Sequence, residues 1–262
     1  MNLIIDIGNT CAKLACFDGY EFVEQVRIDR GETRLLTEFC GRRPFSRGIV
    51  SAVADVTDDM QRCIRSLSFP VMQLVSGVTP VPVRVRYATP STLGTDRLAA
   101  AVEAAARCPG RHVVVIDIGT CLTFDVVNDR GEYLGGNISP GPSMRLKALH
   151  SYTARLPRVE RRGVAPMIGN TTVTAVRSGV LYGIKYEIEG YVAALAADRP
   201  DLCVIITGGV HLDLPLSLDC DVFTDDSIVP RGLNRILMYN EERKHDNPDN
   251  SGNTSYTPTS LQ

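Results

Sequence analysis

The stretch Ile5-Asp6-Ile7-Gly8-Asn9-Thr10 returns in abbreviated form as Ile116-Asp117-Ile118-Gly119-Thr120. Each copy follows an apolar run, Leu3-Ile4-Ile5 in the first and Val113-Val114-Val115 in the second. Each leads into another β-prone run, Lys13-Leu14-Ala15-Cys16-Phe17 or Leu122-Thr123-Phe124-Asp125-Val126-Val127. A turn with glycine (Asp18-Gly19; Asp129-Arg130-Gly131), an aromatic residue and a third extended segment complete both copies. The two aspartates stand 111 residues apart. That period is far too long for a solenoid and points to two similar domains.

The turn has a chemical use. A buried strand delivers an aspartate to the mouth of a tight loop, where glycine lets the backbone turn sharply and approach a ligand closely. Backbone N–H groups and the threonine hydroxyl can donate to phosphate oxygens, while the carboxylate faces a metal ion or its water shell. Asp-x-Gly by itself is ordinary hairpin punctuation. Two matched copies, each after a hydrophobic strand, suggest loops that hold the two ends of a nucleoside triphosphate.

At 262 residues the chain has core enough for two domains, and its net charge of −2 gives no general reason to bind nucleic acid or an anionic membrane. The arginines at 155, 158, 161 and 162 read as a solvated basic loop. Eight cysteines and four histidines are dispersed without a Cys-x-x-Cys pair, which disfavours a zinc site. No secretory signal and no apolar run of membrane-spanning length is evident, so the expectation is a cytoplasmic protein with reduced thiols.

Strands are expected at 2–6, 12–17 and 21–28 as an antiparallel meander, then a helix near 32–40, a strand at 48–53, a helix near 57–67 and a strand near 71–75. Residues 83–87 alternate apolar and charged, as in a half-exposed strand. Thr95 to Arg107 is rich in strong helix formers and stops at Cys108-Pro109-Gly110, the expected domain boundary. The domains are therefore 1–110 and 111–240. The second contains its own meander, helices near 141–151 and 171–197, a strand at 203–206 and a last helix after Pro230-Arg231-Gly232. Residues 241–262, polar and rich in Ser, Thr and Pro, read as a disordered tail.

These motifs, in this order, resemble the type III pantothenate kinase family. The carriers are Asp6-Ile7-Gly8-Asn9-Thr10, Tyr87 with Gly94-Thr95-Asp96-Arg97, and Asp117-Ile118-Gly119-Thr120. Further carriers are Gly135-Gly136-Asn137-Ile138-Ser139-Pro140-Gly141, Thr172 with Ala175 and Ser178-Gly179, and Thr207-Gly208-Gly209. The resemblance spans residues 1 to about 240. It implies an α/β fold shared by actin, the Hsp70 ATPase and sugar kinases: two duplicated ribonuclease-H-like domains with an ATP cleft between them. It also implies ATP-dependent phosphorylation of pantothenate in coenzyme A biosynthesis, and a homodimer.

The resemblance assigns roles residue by residue. Asp96 is the general base that takes the hydroxyl proton as the γ-phosphoryl group moves. Tyr87, Gly94, Thr95, Arg97 and Thr172 bind pantothenate, and Arg97 offers a fork suited to its carboxylate. Asp6, Ile7, Gly8, Asn9, Thr10, Lys13 and Thr120 meet ATP. Asp6 is a water-mediated partner of Mg2+, and Asp117 lies at a monovalent cation, potassium or ammonium. Thr207-Gly208-Gly209 suits close approach at the adenosine end.

Each assignment has a plainer counterpart. Thr95 or Asp96 serves equally well to cap the following helix, and Asn170 or Thr171 to cap the helix at Thr172. An arginine in a first helical turn sits against the helix dipole, which favours an anionic partner for Arg97. Thr171 stands where asparagine is common in the family. Two other functions stay open on the residues: a kinase for another small alcohol on the same fold, and a non-catalytic nucleotide-binding regulator.

Overall fold

The computed structural model describes residues 1–210, 212 and 214–246. The chain divides into two compact units, Met1–Arg107 with the segment from Ser227 onward, and Cys108–Asp226.

The first unit is built on β1 (Asn2–Ile7), β2 (Ala12–Asp18), β3 (Glu21–Ile28), β4 (Arg47–Ala52) and β5 (Val71–Gln73), ordered β3-β2-β1-β4-β5. β1, β2 and β3 pair antiparallel, whereas β4 joins β1, and β5 joins β4, in parallel. Parallel pairing requires crossovers, supplied here by α1 (Thr33–Gly41) and α2 (Asp58–Arg65). Every residue of β1 is buried, as befits a central strand covered on both faces. Leu3, Ile5 and Ile7 share a core with Leu36 and Phe39 of α1 and with Met60 and Ile64 of α2. Alternation along the strand sends Asn2, Ile4 and Asp6 to the opposite face. There the Asn2 side chain donates to Asn234 Oδ1 at 2.8 Å, which places α6 (Ile228–Asp246) on that face, packed against α3 (Thr95–Arg107).

The second unit repeats the scheme with β7 (Val113–Ile118), β8 (Cys121–Val127), β9 (Glu132–Pro140), β10 (Cys203–Thr207) and β11 (Asp221–Thr224). Their order is β9-β8-β7-β10-β11, with the same antiparallel meander and parallel outer pairs. Between β9 and β10 lie α4 (Pro142–Ser151) and the 25-residue α5 (Thr172–Ala196). α5 packs Val176, Val180, Ile184, Ile188 and Val192 against Val114, Ile116, Leu122 and Phe124 of the sheet. Among the described residues no helix is long and apolar enough to cross a membrane.

Four features differ from those read in the sequence. The C-terminal helix, expected in the second domain, packs on α3 and β1 of the first unit. It also continues through Asp246, so 241–246 are helical; the rest of the expected tail, 247–262, lies outside the described residues. Within 83–87 only Arg84–Val85 form a strand, β6. β11 was not anticipated, because its four residues are exposed and show no apolar alternation.

Candidate active site

In the first unit β1 carries Asp6 to the loop at its end. Its register partners are Lys13 on β2 and Ser51 on β4, so all three start from the same face of the sheet. Asp6 is 7% exposed, Ser51 fully buried and Lys13 half-buried. The Ser51 hydroxyl bonds Thr95 Oγ1 at 2.9 Å, latching the first residue of α3 to the strand beside Asp6.

Asp96 follows in the first turn. Its Oδ1 accepts the Arg97 N–H at 2.8 Å, while the helical ladder opens with Leu98 N–H donating to Gly94 O at 3.0 Å. The carboxylate therefore does part of the work of a cap, and Thr95 is tied to β4 instead. A Cβ on Gly94 would stand 2.6 Å from Asp96 Oδ1, so only glycine lets the carboxylate lie back over the turn. Burial pushes the Asp96 carboxyl above the usual carboxylate range, against the opposing pull of the Arg97 amide, the Arg97 charge and Lys13. Arg97 is itself buried, and Tyr87 is half-buried just beyond β6.

The two Asp-x-Gly loops share their internal wiring. Gly8 N–H donates to Cys11 O at 3.0 Å and Gly119 N–H to Cys121 O at 2.9 Å. Just beyond the neighbouring strands β4 and β10, Val53 N–H reaches Ile7 O and Val210 N–H reaches Ile118 O, both at 3.1 Å. The Gly8 amide is thus spent on closing its turn, and the Ile7 side chain on the core, leaving Asn9 and Thr10 exposed at the tip. Arg30 steadies that tip by donating to Asn9 O at 3.3 Å and Asp55 O at 2.5 Å.

In the second unit Asp117 is half-buried opposite Thr123 and Thr207. Gly208, at φ +112°, brings its backbone so close that a Cβ would meet Ile118 O at 2.4 Å and Asp117 Oδ1 at 2.6 Å. The Asp117 carboxylate therefore sits among main-chain atoms, and Thr120 is exposed beside it on the loop. Among the described residues no three His, Cys, Asp or Glu side chains group to hold a metal ion. Thr172 opens α5, but Thr171 is the cap: it forms a reciprocal capping box with Thr174, which leaves the exposed Thr172 hydroxyl outside the box.

The first unit thus gathers Asp6, Lys13, Thr95, Asp96 and Arg97 at one sheet end, and the second holds Asp117, Thr120 and Thr172. Ser51 and Arg30 escaped the sequence reading. Ser51 belongs to the site only because β4 pairs in parallel with β1, a nonlocal fact with no local signature. Arg30 acts through its long side chain from a loop that reads as plain surface.

Comparison with known proteins agrees with this architecture. The family model described as type III pantothenate kinase matches residues 2–194. A type III pantothenate kinase of Phocaeicola vulgatus is 46% identical over 242 residues, covering 92% of this chain and all of that protein. Among solved structures, a Campylobacter jejuni protein described under the Baf family of transcriptional activators superposes with a TM-score of 0.57 at 21% identity, over 92% of this chain and 99% of that one. An activator of 2-hydroxyisocaproyl-CoA dehydratase from Clostridium difficile, solved with bound ADPNP, gives 0.51 at 14% identity over 99% of each chain. The fold is the duplicated ribonuclease-H-like α/β fold, and by sequence the chain belongs to the type III pantothenate kinase family.

Proposed function

We propose that the protein transfers the γ-phosphoryl group of ATP to the 4′-hydroxyl of pantothenate, the first step of coenzyme A biosynthesis. Besides family membership, the carrying observation is Asp96: a carboxylate of raised pKa in a helix's first turn, bonded to the backbone N–H of the buried Arg97 and within the electrostatic reach of Lys13. A carboxyl pushed upward is a better proton acceptor, which supports a general-base role for it. Asp96 takes that proton as the phosphoryl group departs. Arg97, Tyr87 and Thr172 orient pantothenate, with Arg97 on its carboxylate and Gly94 and Thr95 shaping the turn beneath. Asn9, Thr10 and Lys13, and on its own loop Thr120, are the groups suited to phosphate oxygens. Catalysis is then positioning and charge neutralisation.

Asp6 suits the Mg2+ that accompanies ATP, through water, since a buried carboxylate at a phosphate loop favours a hydrated hard cation. Asp117, one carboxylate among main-chain atoms, suits a monovalent cation, potassium or ammonium, better than a divalent cage of several acids. When bound, these ions offset triphosphate charge. We further infer a cytoplasmic homodimer: Tyr152, Val164, Met167 and Ile168 are 70–89% exposed within one stretch of the second unit. Sedimentation analysis showing a monomer at micromolar concentration would remove that inference.

The test of function is ADP release from Mg-ATP, with and without pantothenate, in potassium or sodium buffer. Pantothenate-dependent turnover that falls in sodium is the expected result. Turnover indifferent to the cation would retain the kinase and remove the Asp117 site. ATP binding without turnover would replace the enzyme by a nucleotide-binding regulator.

A further inference from the structure

The second unit carries a pocket of about 160 Å³ at the ends of β7, β10 and β11. Ile118, Leu212, Leu214 and Leu216 give it apolar walls, and Thr224 and Asp226 contribute polar groups. Such a lining accepts a flat heteroaromatic ring with a few polar edges. Gly208 lines the pocket and also packs against Asp117, so the pocket adjoins the loop that bears Thr120. A nucleotide whose phosphates meet that loop has its base next door.

The wall at 214–218 has no regular secondary structure to keep it in place. It is fastened instead from α5. Lys185 Nζ donates to Pro215 O at 2.6 Å, and the Ser217 N–H donates to Glu189 Oε1 at 2.6 Å. Lys185 and Glu189, one helical turn apart, form an ion pair with each other, and their side chains are only 13% and 19% exposed. Leu216 therefore hangs between two anchored residues. Hydrogen bonds from Lys185 and the Ser217 amide hold the Glu189 carboxyl below the usual carboxylate range, so it is ionised and accepting at neutral pH.

We propose that Lys185 and Glu189 are positioning residues for the nucleobase of ATP, fixing the 214–218 wall of this pocket from behind. The proposal rests on the kinase reading above. Neither residue touches the reacting atoms, so their removal acts on nucleotide affinity and leaves phosphoryl transfer alone.

The experiment compares wild type with Glu189→Ala, Lys185→Ala and Glu189→Gln by KM for ATP, KM for pantothenate, kcat, and the Ki of inorganic tripolyphosphate, which lacks a base. Glu189→Ala is expected to raise KM for ATP at least fivefold, with kcat, KM for pantothenate and the tripolyphosphate Ki within twofold of wild type. Lys185→Ala gives the same pattern should Glu189→Ala fail to fold, and Glu189→Gln, which keeps an acceptor for the Ser217 amide, returns KM for ATP to within twofold. An unchanged KM for ATP in both alanine variants overturns the proposal, as does a parallel rise in the tripolyphosphate Ki. Should wild type itself show no pantothenate-dependent turnover, the kinase reading fails, and calorimetric ATP affinity of the same variants still decides the role of the wall.

Discussion

Replacing Asp96 by Asn should inactivate the enzyme and stabilise the fold. Burial is the largest influence on this carboxyl and raises its pKa, so ionising it costs more in the folded protein than in the unfolded chain. Below about pH 4 the group is neutral in both states and no penalty applies. As pH rises from the unfolded pKa to the higher folded one the wild type loses stability, by about 1.4 kcal/mol for each unit of upward displacement. Asn carries no charge and keeps an oxygen to accept the Arg97 N–H, now bonded at 2.8 Å. Asp96→Asn should therefore equal wild type about one pH unit below the ordinary aspartate pKa and exceed it at pH 7. Asp96→Ala also removes the charge but leaves that helix-start amide without its acceptor, which costs about 1 kcal/mol. It should fall below Asp96→Asn by that amount at both pH values. Turnover should fall about 10²- to 10⁴-fold in both variants, as loss of a general base requires, while ATP affinity is retained. Urea unfolding at the two pH values and steady-state ADP release supply the readouts. A destabilised Asp96→Asn at pH 7 would refute the electrostatic argument, and near-normal turnover would remove Asp96 from the base role.

Gly208→Ala places a Cβ against Ile118 O and Asp117 Oδ1 at a positive φ, so it should cost about 1–3 kcal/mol in thermal or urea unfolding and raise the potassium concentration for half-maximal activity. An unshifted potassium requirement would detach Asp117 from the cation. Thr171→Ala should lower stability by about 1 kcal/mol through loss of the α5 cap, whereas Thr172→Val should leave unfolding unchanged and raise KM for pantothenate; the opposite pattern would exchange the two roles. Burial pushes the Cys40 thiol up to about 11 and Cys203 up to about 12, so at pH 8 both should resist a thiol-specific reagent in the native protein and react after denaturation. Prompt native labelling of either, mapped by mass spectrometry, would contradict their packing.

The duplicated Asp-x-Gly loops, the two meanders and the long helix at Thr95 were legible because each rests on local rules: strand alternation, glycine at turns, alanine-rich helix. The resemblance added the identity of the substrate, which no periodicity carries. Other features were not legible. The sequence puts the last helix after the second domain's strands, and nothing local says that Asn234 will bond Asn2 at the far end of the chain. The four exposed residues of β11 carry no pattern, because an edge strand is specified by its neighbour.

For the site, the sequence by itself determined which groups were present: two acidic loops, a Gly-Thr-Asp-Arg turn opening a helix, and a threonine opening another. Only the tertiary structure decided what surrounds them. Parallel pairing of β4 with β1 sets Ser51 beside Asp6 and under Thr95, packing of α3 buries Asp96 enough to raise its pKa, and the approach of Gly208 to Asp117 seats that carboxylate among main-chain atoms. Each depends on residues tens of positions apart being brought within a few ångströms, and a carboxylate's desolvation and partners, which set its chemistry, are properties of that surrounding space.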